Sequence, residues 1–329
     1  MKNHIKEYLL LFLFFSSYAY SETVVLSVPG PGSISYLPVY LAKAISADKA
    51  EGIDLKLHYV PGGPLALRDL DDNNSDFASV GLPAIASSRA EGMPLLAIGQ
   101  LTQSAMFVFM LNSDLKKQVR TIADLKGKRI GTSVSTGKAR SMGVMMTGYL
   151  LKRAGLQQND ILYVPAGQDR EATRSALASG TVDAMLGDEP FASELIAKGT
   201  VVSLADLYHP ESSNKLLGGP IVHAALVTRE NVYLEHPETV RKVRRMFDRT
   251  LKWMAQHSSL QIMEQLSGQP GFDSARSEAI APILERNAGM FTETIEWDPR
   301  AVENTERFFH EMADAPNEKK LFYSEFVRN

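Results

Sequence analysis

The chain has 329 residues, 44% of them hydrophobic, seven histidines, no cysteine and a formal net charge of minus 3 at pH 7. That length supports two domains with a core each. The missing cysteines exclude disulfides, thiol catalysis, cysteine-ligated metals and lipid attachment, and the weak acidic balance gives no electrostatic reason to expect nucleic acid. At the N-terminus Lys2 and Lys6 precede an apolar run over 9–15, followed by small-x-small patterns ending at Ala19 and Ser21. The pattern predicts a secretory signal peptide over 1–21, because the run is shorter than the roughly 20 apolar residues of a membrane span. A periplasmic, exported chain without a lipid anchor is therefore expected.

The mature chain repeats strand, Gly/Pro loop and helix. Strands are predicted at 23–28, 53–60, 77–80 and 95–99, and helices at 37–47, up to residue 70, and at 84–90. The intervening loops are PGPGSISY (29–36), PGGP (61–64) and GLP (81–83). Such alternation predicts an α/β fold, with mainly parallel sheets flanked by helices and ligands held beyond the carboxyl ends of the strands. The apolar strand 107–112 leads into a polar stretch, after which the alternation restarts with strands at 129–131, 161–164, 181–186 and 200–204 and helices at 170–179 and up to 198. A returning strand is predicted at 221–228, followed by an all-helical tail whose long helix, 237–257, opens on Pro-Glu. We assign 22–110 and 222–329 to lobe 1 and 111–221 to lobe 2. The chain then crosses twice between the lobes, a hinge suited to closure around a ligand.

Within lobe 2, the stretch 124–155 reads as strand, hydroxyl-rich loop and helix. A helix starting near Gly137 would aim its free N–H groups at Ser135 and Thr136, an arrangement that holds anionic or strongly polar groups. Lys138 and Arg140 would then lie in the first turn, where cations oppose the helix dipole but attract an anion. Asp188 and Glu189, after the strand at 181–186, favour instead an amine or aminopyrimidine. The chain has no HExxH, no CxxC and no Ser/His/Asp arrangement, and GPGS at 30–33 lacks the third glycine of a dinucleotide fingerprint and the Gly-Lys-Ser/Thr of a P-loop. No cofactor, no metal and no catalytic residue are expected.

Six segments in order carry a family resemblance: LPVYLAKA (37–44), EGIDLKLHYVPGG (51–63), SDFASVGLPAI (75–85), DLKGKRIGTS (124–133), ALASGTVDAMLGDEPFASEL (176–195) and LEHPETVRKV (234–243). The chain resembles periplasmic substrate-binding proteins of ABC importers, of the nitrate/sulfonate/taurine and thiamine-pyrimidine-precursor type. The resemblance implies the two-lobed, type II periplasmic-binding-protein fold, a small-molecule ligand between the lobes, and docking of a monomer on a membrane permease. By resemblance and by position at strand ends, the ligand-facing residues are expected to be Ser35, Tyr36, Gly62, Gly81 and Leu82 from the first lobe. Ser135, Thr136, Gly137, Asp188 and Glu189 are expected from the second, and His223 from the returning strand. Asp183 reads as structural. The expected ligand is a sulfonate-like anion or a pyrimidine-type heterocycle. Two other readings stay open on the same fold: an enzyme resembling pyrimidine synthases or menaquinone-pathway lyases, and a module reporting to a membrane receptor.

Overall fold

The computed structural model describes residues 21–132, 141–166 and 170–329. Segment 1–20, which holds most of the predicted signal peptide, lies outside the described residues. The first lobe opens with β1 (Glu22–Pro29), a 3-10 turn at Ile34–Tyr36, α1 (Leu37–Ala44), α2 (Ala47–Ala50), β2 (Ile53–Val60), α3 (Gly63–Asp71), β3 (Phe77–Val80), α4 (Leu82–Ala90) and β4 (Leu95–Gln100). The second contains β5 (Phe107–Asn112), β6 (Arg129–Thr132), α5 (Met142–Arg153), β7 (Leu162–Pro165), α6 (Arg170–Ala178), β8 (Ala184–Asp188), α7 (Phe191–Ala197), β9 (Val201–Asp206) and α8 (Pro210–Leu217). The chain returns through β10 (Ala225–Arg229) and ends in α9 (Glu230–Glu235), α10 (Pro237–Ala255), α11 (Ser259–Leu266), α12 (Ser274–Arg286), α13 (Pro299–Met312) and α14 (Pro316–Lys320).

The strands form two five-stranded sheets of matching order, β2-β1-β3-β10-β4 and β7-β6-β8-β5-β9. In each, one strand runs against the others: β10 is antiparallel to β3 and β4, and β5 to β8 and β9. Chain direction explains this. The parallel strands of both sheets end at the cleft, so a chain crossing from one lobe enters the other sheet at its cleft edge and must run away from it. Residue 110 lies inside β5, so the change of lobe falls between Gln100 and Phe107, earlier than the boundary read from the sequence. The returning strand likewise begins at Ala225 and not at Ile221.

Side-chain patterning accounts for the local structure. Along β1, Val24, Leu26 and Val28 are buried at alternate positions, while the central β3 is buried throughout. On α10, Val240, Val243, Phe247, Leu251 and Met254 form one buried stripe against the first lobe. Each such side chain contributes about 1.5–3 kcal/mol. The first helix stops at Ala44, short of the predicted 47, because Ser46 turns the chain with φ +58°. Helix α8 was not anticipated, although Pro210 at its first turn and Gly218 at its left-handed end, φ +79°, are both boundary signals. Its buried side chains are only Ser213 and Leu217, so it has little apolar periodicity to read.

Asp183 is structural. Its carboxylate accepts from the Arg129 backbone N–H at 2.7 Å and from the Arg129 guanidinium at 3.1 and 2.6 Å, tying the start of β8 to β6. Burial pushes this carboxyl up, but the Arg129 contacts outweigh it and hold it below the usual range. Replacing Asp183 with Ala is expected to cost about 2 kcal/mol in urea unfolding at pH 7, since it removes the charged acceptor of three hydrogen bonds from Arg129. The folded-state pKa is depressed, so the difference should vanish as pH falls through it. An equal loss at pH 3 would refute the assignment.

Candidate functional site between the lobes

The loops following β1 and β3 in one lobe meet the end of β8 and the start of α5 in the other, where the two sheets face each other. Across that cleft the Ile34 N–H donates to the Glu189 carbonyl at 3.4 Å. The Arg276 guanidinium on α12 stands 3.6 Å from the Glu194 carboxylate on α7. Gly81 abuts Met142, the first residue of α5: a Cβ at Gly81 would come within 3.0 Å of the Met142 sulfur and 3.2 Å of the His223 carbonyl. On another side α13 packs against both α4 and α5, with Phe308 edge-on to Tyr149 at 5.0 Å and the Lys152 ammonium donating to the Glu311 carbonyl at 2.9 Å. The lobes are closed on each other.

Ser35 and Tyr36 lie in the 3-10 turn before α1 and are buried, and the Ser35 hydroxyl has no hydrogen-bond partner among the described residues. Burial, with the nearby Asp188 carboxylate adding to it, pushes the Tyr36 phenol well above its ordinary value, so it stays a protonated donor. Gly81 and Leu82 form the start of α4, and Leu82 is fully buried. Gly62 precedes α3 in extended backbone, where an added Cβ would meet only Pro64, at 4.0 Å. No cross-lobe contact reaches it.

On the second lobe, Asp188 ends β8 and faces the Arg170 guanidinium at 3.6 Å. Burial pushes its carboxyl up and Arg170 pulls it down; with 36% of the side chain still open to water, the desolvation is partial. One guanidinium nitrogen of Arg170, Nη1, is buried without a hydrogen-bond partner among the described residues. Arg170 and Arg276 were missed in the sequence. A signal was present: Arg170 opens α6, and a cation in a helix's first turn opposes the dipole. Helix α5 begins at Met142, capped by the Ser141 hydroxyl on the Val144 N–H, later than the start expected near Gly137. Ser135, Thr136 and Gly137, with Lys138 and Arg140, lie outside the described residues.

Two expectations need correction. The Glu189 carboxylate turns into its own lobe, accepting from the Ser193 N–H at 3.1 Å and the Ser193 hydroxyl at 2.9 Å in the first turn of α7, and from Tyr208. Only its backbone carbonyl faces the first lobe. Burial raises this carboxyl from 4.5 to about 7, against the pull of Ser193 and Tyr208. His223 precedes β10 in the crossing segment, where its Nδ1 accepts from the Met106 N–H at 2.8 Å and its ring stacks on Phe107 at 4.6 Å. It binds the two crossings together. Burial lowers its pKa to about 3, so it is neutral at physiological pH, with the ring proton on Nε2.

Among the described residues, no group of three or more histidine, cysteine, aspartate or glutamate side chains could hold a metal ion. No helix there is long and apolar enough to cross a membrane.

The NMT1/THI5-like family pattern matches residues 34–259, most of the chain and most of both lobes. The chain belongs to the NMT1/THI5-like family. A putative binding protein of Bacillus subtilis, YtlA, is 25% identical to this NMT1/THI5-like chain over 256 residues, covering 77% of it and 72% of YtlA. The alkanesulfonate-binding protein SsuA from Xanthomonas axonopodis pv. citri, bound to MOPS, superposes with a TM-score of 0.72 at 19% identity, over 93% of this chain and 98% of SsuA. The periplasmic nitrate-binding protein NrtA from Synechocystis PCC 6803 gives 0.72 at 13% identity, over 93% and 86%. These likenesses show the two-lobed periplasmic-binding-protein fold. Its users here are mainly solute-binding proteins, although a desulfurization enzyme shares it, so function has to be argued from the cleft.

Proposed function

We propose that this protein is a periplasmic receptor that binds a small molecule between its lobes, closes by hinge motion and delivers the molecule to an ABC-type permease. The observation that carries the reading is the convergence of the strand-end loops: Ile34, Tyr36 and Gly81 of one lobe meet the Glu189 carbonyl, Asp188 and Met142 of the other. A ligand bridging them gains contacts that exist only in the closed state, and that difference drives closure. No chemistry is needed. Among the described residues, the unpartnered or protonated polar groups at this junction can all donate: the buried Ser35 hydroxyl, the Arg170 Nη1 and the Tyr36 phenol. They suit a sulfonate-like anion, and the accessible Asp188 carboxylate is the group that would instead receive an amine or aminopyrimidine. Ser135, Thr136 and Gly137 belong to the proposed second-lobe contacts through their place after β6.

The test is a thermal-melt panel on the mature protein with sulfonates, nitrate, bicarbonate, aminopyrimidines, flavins and aromatic acids. A ligand at about 100 times its dissociation constant adds roughly 2.7 kcal/mol of stability. A hit whose stabilisation is lost in Arg170→Gln and kept in Asp188→Asn supports an anion, and the opposite pattern supports a heterocyclic amine. A flat panel would overturn both ligand classes.

A further inference from the structure

Arg276 touches both lobes. From α12 its Nη1 donates to the Gly32 carbonyl at 3.1 Å, and its Nη2 stands 3.6 Å from the Glu194 carboxylate across the cleft. The side chains of Arg276 and Glu194 are 18% and 24% exposed, so both groups are largely withdrawn from water. Gly32 is itself constrained, with φ +78° and a backbone so close to Gly271 that a Cβ would collide with the Gly271 carbonyl. The guanidinium therefore leans on a fixed loop, the same loop that delivers Ser35 and Tyr36, while it reaches for the opposite lobe. We propose that Arg276 is a positioning residue whose contact with Glu194, made only when the lobes meet, couples the first ligand loop to closure and sets the balance between open and closed forms. The inference rests on the receptor reading, because it concerns the same cleft.

The surrounding charges explain why one contact can tip the balance. Arg170, Asp188 and Asp273 also face Arg276, and in the second lobe's share, Arg170, Asp188 and Glu194, one cation stands against two carboxylates, a negative balance that Arg276 meets from the first lobe. Neutralising Glu194 leaves two guanidinium groups facing each other with one carboxylate between them. Neutralising Arg276 leaves two carboxylates with one cation. Either change opposes closure; Glu194→Gln does so through the cross-cleft contact, whereas Arg276→Gln also removes the hydrogen bond to the Gly32 carbonyl within its own lobe. At 3.6 Å the pair lies beyond the roughly 2.7–2.9 Å of a tight charge-assisted hydrogen bond, so it should respond to salt.

The experiment needs no ligand. Because the chain has no cysteine, Asp72→Cys and Lys198→Cys place one spin label on an exposed site of each lobe, and double electron–electron resonance reads the interlobe distance. Glu194→Gln and Arg276→Gln should each move the closed-to-open ratio about five-fold towards open, the size of a favourable ion pair. The double variant should go no further than the larger single effect, since both act through one contact. Salt at about 1 M should shift the parent protein the same way. Two distances that neither variant shifts, or effects that simply add, would overturn the coupling while leaving the receptor reading in place. A single distance in the parent, the variants and high salt would overturn the hinge and the receptor reading with it.

Discussion

Glu189→Gln is expected to leave stability at pH 4 unchanged and to raise it at pH 8 by about 3 kcal/mol. In the folded protein burial raises the Glu189 carboxyl from its ordinary 4.5 to about 7, an energy of about 3 kcal/mol between the two protonation states. A raised carboxyl stabilises the fold fully below its unfolded pKa, and that contribution is lost as pH climbs through the folded value. The native protein should therefore lose stability between about pH 4.5 and pH 7 from this group alone. The local chemistry agrees with a retained proton. Tyr208 hydrogen-bonds both Glu189 and Asp206, both carboxyls are raised by burial, and one phenol has one proton to donate. If both carboxylates were ionised, one would be left without that donor. Glutamine keeps the acceptor for the Ser193 N–H and removes the titration. Urea unfolding of both proteins from pH 4 to 8 measures the difference, and parallel profiles would refute the buried-acid assignment. The same substitution should have little effect on ligand charge preference, because the carboxylate turns away from the cleft.

Gly81→Val is expected to weaken ligand binding about 100-fold while the protein remains folded. The backbone at Gly81, φ −63° and ψ 134°, suits any residue, so valine adds no strain there. What it adds is volume where two lobes touch: the first carbon alone would press on the Met142 sulfur and the His223 carbonyl. Overpacking of this kind costs about 1–3 kcal/mol, and here it falls on the closed state, since Met142 belongs to the opposite lobe. Small-angle scattering should show a larger radius of gyration, with thermal unfolding still cooperative. Unchanged closure would mean that the Gly81–Met142 contact yields easily and that Gly81 does not control access to the cleft.

Much of the architecture was legible in the chain. The strand predicted at 53–60 is found at Ile53–Val60, and those at 77–80 and 107–112 are likewise found in place. Each owes its clarity to a short run of β-branched and apolar residues bounded by Gly, Pro or polar turns. The strand predicted at 181–186 is displaced to Ala184–Asp188 because Asp183 is occupied by Arg129, a tertiary contact that no local pattern records. The site was legible in part. Of the proposed ligand contacts, Ser35, Tyr36, Gly81 and Asp188 are suggested by the sequence because they follow strands, and strand ends face the cleft. Glu189 and His223 share that position, but their side chains are claimed by Ser193 and Met106.

By itself the sequence determined the alternation of strand and helix and the two crossings between the sheets, because periodic burial against one's own sheet is written locally. The tertiary structure decided which groups meet. Arg276 lies 244 residues from Gly32, and Glu194 reaches it from the other lobe. Neither residue stands out by spacing or composition. Closure is a relation between two separately folded surfaces, so the charges that complete the cleft become visible only when those surfaces are brought together.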